Sequence, residues 1–439
     1  MTPRPSLPIA RHYGWFAAGF LALAVYGSLV PLDFRPLPAA EAVARYRAAW
    51  RVPILVESRS DWLSNILLFL PLGFLLAGTL AVDRPRRAAL EALVAVPAAS
   101  AALSATIEFA QVYFPSRTVS SRDVVAETIG GVIGAATWLM IGPGMTARAR
   151  AGGLDGSGRA AWALPAYLLA MVLAHAIPLD ITISPGELWG KVKAGMVAPI
   201  PFVGFAKDPA GAARRSADEA VSFLVAGLIA GRAAAWKSRS PWVAWAVGLV
   251  LASSIELLQF FVATRRCDAT DLVVGTLAFL AGWLAGQATW NSADRWGDGR
   301  VRLAFLAGWL GILACSSWTP FDFNWDLGAC LDKVRSIDFL PFADVLQGSP
   351  WVLADQVFLK LSLFFAFGLL LGGGWRTLVV AALIAATVEA VQVTLPGRVP
   401  SLSDLILEAG GAWLGQLASF RCPSLSGPYR VGQPSVIVP

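Results

Sequence analysis

Apolar residues along this chain gather in blocks of about twenty, parted by short polar links; they do not recur at the three-to-four-residue spacing of a half-buried soluble helix. A helix needs about 20 mostly apolar residues to cross roughly 30 Å of hydrocarbon. Stretches near residues 14–32, 62–82, 89–113, 124–145, 161–178, 219–235, 242–262, 271–290, 303–320, 356–374, 377–395 and 405–420 approach that length. The pattern predicts an all-α integral membrane protein of about 12 transmembrane helices. The first block follows Arg4 and Arg11 like a signal peptide, but internal blocks end in the same way, so it reads as a retained helix.

The polar positions repeat. Glu108 and Gln111, Arg117 and Asp123 have the spacing of Glu256, Gln259, Arg265 and Asp271, and of Glu389, Gln392, Arg398 and Asp404. Upstream lies Pro31-Leu32-Asp33, then Pro178-Leu179-Asp180, then Pro320-Phe321-Asp322. About twenty residues on comes a second proline (Pro53, Pro201, Pro341), and an acid opens the next apolar run (Asp61, Asp218, Asp355). The chain therefore reads as three tandem four-helix units over 1–150, 151–295 and 296–439. In each, a loop of some 30–40 residues joins the first two helices, a short basic link the next two, and a loop of about ten residues the last two.

Charge sets the expected orientation. Arg84, Arg86 and Arg87, Arg148, Arg150 and Arg159, Lys237 and Arg239, and Arg295, Arg300 and Arg302 crowd into the tails and short links on one side. Basic loops stay cytoplasmic, which predicts N-in/C-in and places every repeated motif outside. The net charge of +6 is thus a topology signal rather than a nucleic-acid footprint. Apolar residues at 56% and charged residues at 15% agree with a bilayer environment. Cys267, Cys315, Cys330 and Cys422 are too scattered for a metal site or a disulfide framework.

Glu and Gln three residues apart share one helix face. An acid at membrane depth is costly unless it is paired or faces a polar cavity. The following Arg can fold back onto that Glu, and the Asp can cap the next helix. This corner reads either as an ion-pair clasp between helices or as a site for a zwitterionic or anionic headgroup. The ligand-binding candidates are Asp33, Asp61, Asn65, Glu108, Gln111, Arg117 and Asp123, then Glu256, Gln259, Arg265 and Asp271, then Asp322, Glu389, Gln392, Arg398 and Asp404. Gly130-Gly131 with Gly134, and Gly410-Gly411 with Gly415, read as close helix packing. His12 and His175 do not recur, and no P-loop, zinc spacing or nucleophile elbow appears. No metal or cofactor is expected.

Pro31-Leu32-Asp33-Phe34, then Asp61 with Asn65-Ile66-Leu67-Leu68-Phe69 and Gly73, then the Glu108-to-Asp123 spacing, resemble the VanZ-like family of bacterial membrane proteins. The first unit is closest to the pattern. The third has Leu359 and Lys360 near the Asn65 position. The second departs most, with Arg265-Arg266-Cys267 in its loop and Gly275 where the others carry Glu127 and Glu408. The resemblance implies four membrane helices per copy and a place in the bacterial inner membrane. The family's naming member is associated with teicoplanin resistance, and relatives occur beside envelope polysaccharide systems. The leading expectation is a non-catalytic envelope protein binding membrane lipid, or a lipid-linked cell-wall or glycopeptide ligand, at the outer Glu/Arg/Asp sites. The alternatives are an intramembrane enzyme acting on a lipid-linked glycan, with Glu108 or Asp33 as acid/base, and a transporter.

Overall fold

The structure is a computed structural model that describes residues 9–29, 32–51, 59–151, 156–177, 180–233, 239–291, 299–335, 341–342, 350–371, 374–398 and 400–418. A helix lies on each expected apolar block. These are α1 (Ile9–Leu29), α3 (Arg59–Ala81), α4 (Arg86–Gln111), α5 (Ser121–Ala151), α6 (Gly156–Ala176), α9 (Pro209–Arg232), α10 (Pro241–Phe261), α11 (Ala269–Asn291), α12 (Gly299–Trp318), α14 (Pro350–Leu371), α15 (Trp375–Gln392) and α16 (Leu402–Ala418). Among the described residues, six helices are long and apolar enough, by length and composition, to cross a membrane: Trp62–Ala81, Arg86–Gln111, Ser121–Ala147, Pro241–Phe261, Ala269–Ala288 and Trp375–Gln392.

The long loops are more structured than their sequence predicts. Each carries a short helix: α2 (Ala39–Ala49), α7 (Pro185–Lys193) and α13 (Leu327–Arg335), and the second loop adds α8 (Val203–Lys207). These have mixed polarity and no membrane-length run, so an apolar-block reading passes over them. Helix α9 also starts ten residues before its apolar run, because Pro209 suits a first helical turn and the Asp208 carboxylate accepts the Gly211 N–H at 2.9 Å. Two dipeptide strands, β1 (Val197–Ala198) and β2 (Cys267–Asp268), pair in parallel with Val197 opposite Cys267.

The tightest packing joins the second and fourth helices of each motif copy: α3 with α5, α9 with α11, α14 with α16. Glycine allows it. A β-carbon on Gly134 would stand 2.1 Å from the Leu70 carbonyl oxygen, one on Gly282 2.0 Å from that of Leu224, and one on Gly415 2.0 Å from that of Phe365. In lipid there is little hydrophobic drive between helices, so small residues that let backbones meet carry the association. Phe69, Phe223 and Phe364, each fully buried, sit one residue before those contact points.

One apolar core runs through the second and third copies, from Met171 and Phe223 to Phe364 and Ala412. Tyr167 crosses between them, its hydroxyl within 3.1 Å of the Ser222 carbonyl and 3.0 Å of the Ser362 hydroxyl. The first copy packs around its own clusters at Phe69 and Trp138, and Tyr26 donates to the Pro341 carbonyl of the third. Large apolar side chains such as Trp15, Val94, Met140, Trp242, Val250 and Leu383 point outward. On a soluble protein so much exposed apolar surface is a liability, whereas in a bilayer it is the solvated face.

Candidate functional site

Each motif copy builds its corner with the same bonds. The Glu at the end of the third helix accepts a backbone N–H from the residue just before the fourth: Glu108 from Ser120 at 2.6 Å, Glu256 from Asp268 at 3.1 Å, Glu389 from Ser401 at 2.8 Å. That residue's own side chain accepts the N–H two positions on: Ser120 from Arg122 at 3.2 Å, Asp268 from Thr270 at 2.8 Å, Ser401 from Ser403 at 3.1 Å. The helix caps are therefore Ser120, Asp268 and Ser401, not the motif aspartates. Asp123, Asp271 and Asp404 fall in the first turn instead, where an acid faces the positive end of the helix dipole. The Ser-x-x-Asp spelling of the first copy, Ser120 to Asp123, is a capping signature that reveals this from sequence.

The arginine goes elsewhere than expected. Among the described residues none of the three pairs with its motif Glu; each donates to carbonyls at the end of its copy's first helix. Arg117 donates to Gly27 at 2.6 Å, Arg265 to Ile177 at 2.5 Å and Ala174 at 2.8 Å, and Arg398 to Ser316 at 3.2 Å. The last carbonyls of a helix lack intrahelical partners, and a guanidinium fork supplies several donors at once. Gln111 adds a 3.0 Å bond to the Ser28 carbonyl. Burial lowers the Arg117 and Arg398 pKa values from the ordinary guanidinium range. Arg265 also reaches Asp355 with two bonds, at 2.7 and 2.6 Å.

The aspartates of the Pro-x-Asp turns are stitches in the same corner. Asp33 accepts the Ser116 backbone N–H at 3.2 Å and its hydroxyl at 2.7 Å, and Asp180 accepts the same pair from Thr264 at 3.1 and 3.2 Å. Gly397 brings no hydroxyl to Asp322, which lies exposed. Two residues after each Asp, a backbone N–H reaches the end of the third helix: Arg35 to Tyr113, Thr182 to Phe261, Asn324 to Thr394. Leu32 and Phe321 hold positive φ in these turns, as Phe202 and Phe342 do after the second proline. The Phe202 and Phe342 amides then donate to Thr270 and Ser403, anchoring the second element to the fourth helix. Pro31, Pro53, Pro178 and Leu179 lie outside the described residues, as does the Asp61 side chain.

Lys191 and Lys333 have no forerunner in the sequence reading. Both stand eleven residues after the loop aspartate, on α7 and α13. Lys191 donates to the carbonyls of Gln259, Phe260 and Val262 at 2.6, 3.2 and 2.7 Å, and Lys333 to those of Val393 and Leu395. Ala44 stands there in the first copy. The Asp-x10-Lys spacing was the available signal. Lys191→Ala leaves three helix-end carbonyls without a donor and is expected to cost roughly 2–3 kcal/mol, read as a lower thermal midpoint in detergent. Nearby, burial pushes the Cys267 thiol up to about 11. It should resist iodoacetamide at neutral pH while folded and react once the protein is denatured.

Beyond these clasps a set of acids stays in the interior. Glu127, one turn after Asp123, and Glu408, one turn after Asp404, are buried, and one carboxyl oxygen of each lacks a partner among the described residues. Glu127 faces Ser104, one turn before Glu108 on α4. The first copy thus gathers Glu108, Asp123 and Glu127, and the third Glu389, Asp404 and Glu408. In the second copy Gly275 replaces this third carboxyl, and the Phe223 ring fills the space.

The glycine contacts fix which second-helix residues are equivalent. Leu70, Leu224 and Phe365 touch matching glycines, so five residues earlier Asn65, Glu219 and Lys360 correspond. By the same register Asp61 matches Arg215 and Gln356, which corrects the pairing of Asp61 with Asp218 and Asp355. Asn65 is half-buried on α3. Glu219 meets the His175 Nε2 at 3.0 Å, while His175 Nδ1 faces the Met171 carbonyl at 2.7 Å. Lys360 forms an ion pair with Asp404. At the second corner lies a cleft of about 40 Å³ lined by Arg215, Ser216, Arg266, Asp268, Thr270 and Asp271. Among the described residues no three His, Cys, Asp or Glu side chains are grouped as a metal ion requires.

Residues 19–142 and 305–422 each match the model of the VanZ/LLP1 family, and together they make up more than half of the chain. The matched regions hold the two corners that keep the third carboxyl; the second corner, with Gly275, lies between them. No curated protein and no solved structure matches the chain.

Proposed function

The chain belongs to the VanZ/LLP1 family of multi-pass membrane proteins, and from that premise we propose that it is a ligand-binding protein of the bacterial inner membrane. In this reading twelve helices span the bilayer as three tandem copies with both termini inside, and the corners open outward. The ligand is a lipid-linked cell-wall or polysaccharide precursor, or a glycopeptide, held at the acids of the first and third copies. Work in the cell envelope goes with that location, and a part in antibiotic resistance goes with a glycopeptide ligand.

One observation carries this reading: Glu127 and Glu408 are buried beside two further carboxyls, each with an oxygen that finds no partner among the described residues. Buried polar atoms are nearly always paired, and a corner meant only as a clasp has no use for an additional acid. The motif splits by role according to the bonds its members make across the corner. Arg117, Gln111 and Asp33 hold helices together, while Glu108, Asp123 and Glu127 face the ligand.

The split is testable in nanodiscs with a lipid-linked cell-wall precursor as probe, followed by native mass spectrometry. Glu127→Gln is expected to weaken precursor binding at least tenfold with the thermal midpoint kept. Arg117→Ala should lower the midpoint first. Unchanged binding in Glu127→Gln would remove this site from the proposal.

A further inference from the structure

We infer that the first copy binds the ammonium group of its ligand among Glu108, Asp123 and Glu127, the acids whose counterparts surround Lys360 in the third copy. This rests on the ligand-binding reading above and names the chemistry of that site.

The two corners are built alike up to one position. In the third copy, the second helix brings Lys360 to Asp404, within electrostatic range of Glu389 and Glu408. The second copy meets its Glu219 with His175, so there too the chain supplies a nitrogen of its own. The first copy has a neutral Asn65 at that point. Asn65 precedes Ile66, whose carbonyl lies against Gly130, so it stands at the level of Glu127 on the facing helix.

Glu127 is 4% exposed, and its Oε2 has no partner among the described residues. Its surroundings offer Ser104 and two more carboxyls, which makes the place strongly acceptor-rich. A buried acid cluster of this kind is stable only with a cation or with its protons retained. Lys360 shows which cation this scaffold accepts: a primary ammonium on a flexible alkyl stem, with three donors to distribute. Asn65 brings no charge to the equivalent level, so the cation there comes from outside the chain. A headgroup amine of a lipid and the amine of a soluble molecule offer the same chemistry.

The test uses the full chain in nanodiscs. n-Propylammonium chloride should raise the wild-type thermal midpoint by about 3 °C over sodium or tetramethylammonium chloride at equal ionic strength. Asn65→Lys, which tethers an ammonium in place, should abolish that increment. Lys360→Ala opens the third corner; its midpoint should fall and be restored by n-propylammonium but not by tetramethylammonium. This variant keeps the question answerable where Asn65→Lys does not fold. A higher midpoint in phosphatidylethanolamine than in phosphatidylcholine nanodiscs, lost in Asn65→Lys, assigns the amine to a lipid headgroup. Response to n-propylammonium alone assigns it to a soluble amine. A wild-type shift matched by sodium, or no shift and no rescue, overturns the inference. Precursor binding that persists in Asn65→Lys without any amine response overturns the ammonium assignment alone. An amine response with no precursor binding sinks the precursor reading and leaves the ammonium site standing.

Discussion

Gly282→Ala should destabilise the protein by roughly 2–3 kcal/mol, as should Gly134→Ala and Gly415→Ala, although alanine favours a helix by about 1 kcal/mol over glycine. The added β-carbon would lie 2.0 Å from the Leu224 carbonyl oxygen in the first case, 2.1 Å from that of Leu70 and 2.0 Å from that of Phe365 in the others. Each obstacle is backbone in a packed helix, so no rotamer change relieves it; the two helices must move apart and lose their contacts. Gly308 and Gly311 give the control. Nothing lies within 4 Å of a β-carbon at either, so alanine there should be neutral or stabilising by up to about 1 kcal/mol. Thermal melts of the five variants in one detergent test the contrast, and equal effects at all five would refute the packing account. Because the Gly134 contact sets the level of Asn65, Gly134→Ala should also blunt any response to added amines.

Arg265→Ala should cost roughly 3 kcal/mol and loosen the second copy from the third. It removes donors from the Ala174 and Ile177 carbonyls and a two-bonded pairing with Asp355. Bonds from a charged donor to otherwise unpaired helix-end carbonyls carry most of that loss. The ion pair contributes less, since its carboxylate side chain is 43% exposed and water screens it. A double-mutant cycle with Asp355→Ala separates the two. A coupling of about 1 kcal/mol is expected, with the rest of the loss retained when Asp355 is already gone. A coupling equal to the whole loss would mean that the helix-end bonds do nothing. The second and third copies also meet through the Ser316 hydroxyl, 3.2 Å from Asp218, so removing Asp355 alone should leave them associated.

The motif itself was legible because it is written in local spacing. Apolar blocks of membrane length became helices, and Glu, Arg and Asp at constant intervals marked three corners. The same linear spacing mis-stated the partners. Arg117, Arg265 and Arg398 follow their Glu closely in sequence, yet their fork is drawn to the carbonyl ends of α1, α6 and α12, which are distant along the chain and unsatisfied. Asp123 opens an apolar run and so looks like a cap. The helix begins three residues sooner, where Ser120 closes the first turn. The role of Lys191 and Lys333 exists only once α7 and α13 lie across the ends of α10 and α15.

Membrane class, helix positions and the recurrence of the polar motif follow from the amino-acid order alone, since each depends on residues near one another in the chain. Equivalence across the copies does not. Acids at the starts of the second helices invite an alignment of Asp61 with Asp218 and Asp355, but the register is set by where glycine lets two backbones touch. That contact puts Asn65, Glu219 and Lys360 on one level. It separates a corner holding its own ammonium from one with a neutral Asn65 at that level, and no local feature of either segment carries that distinction.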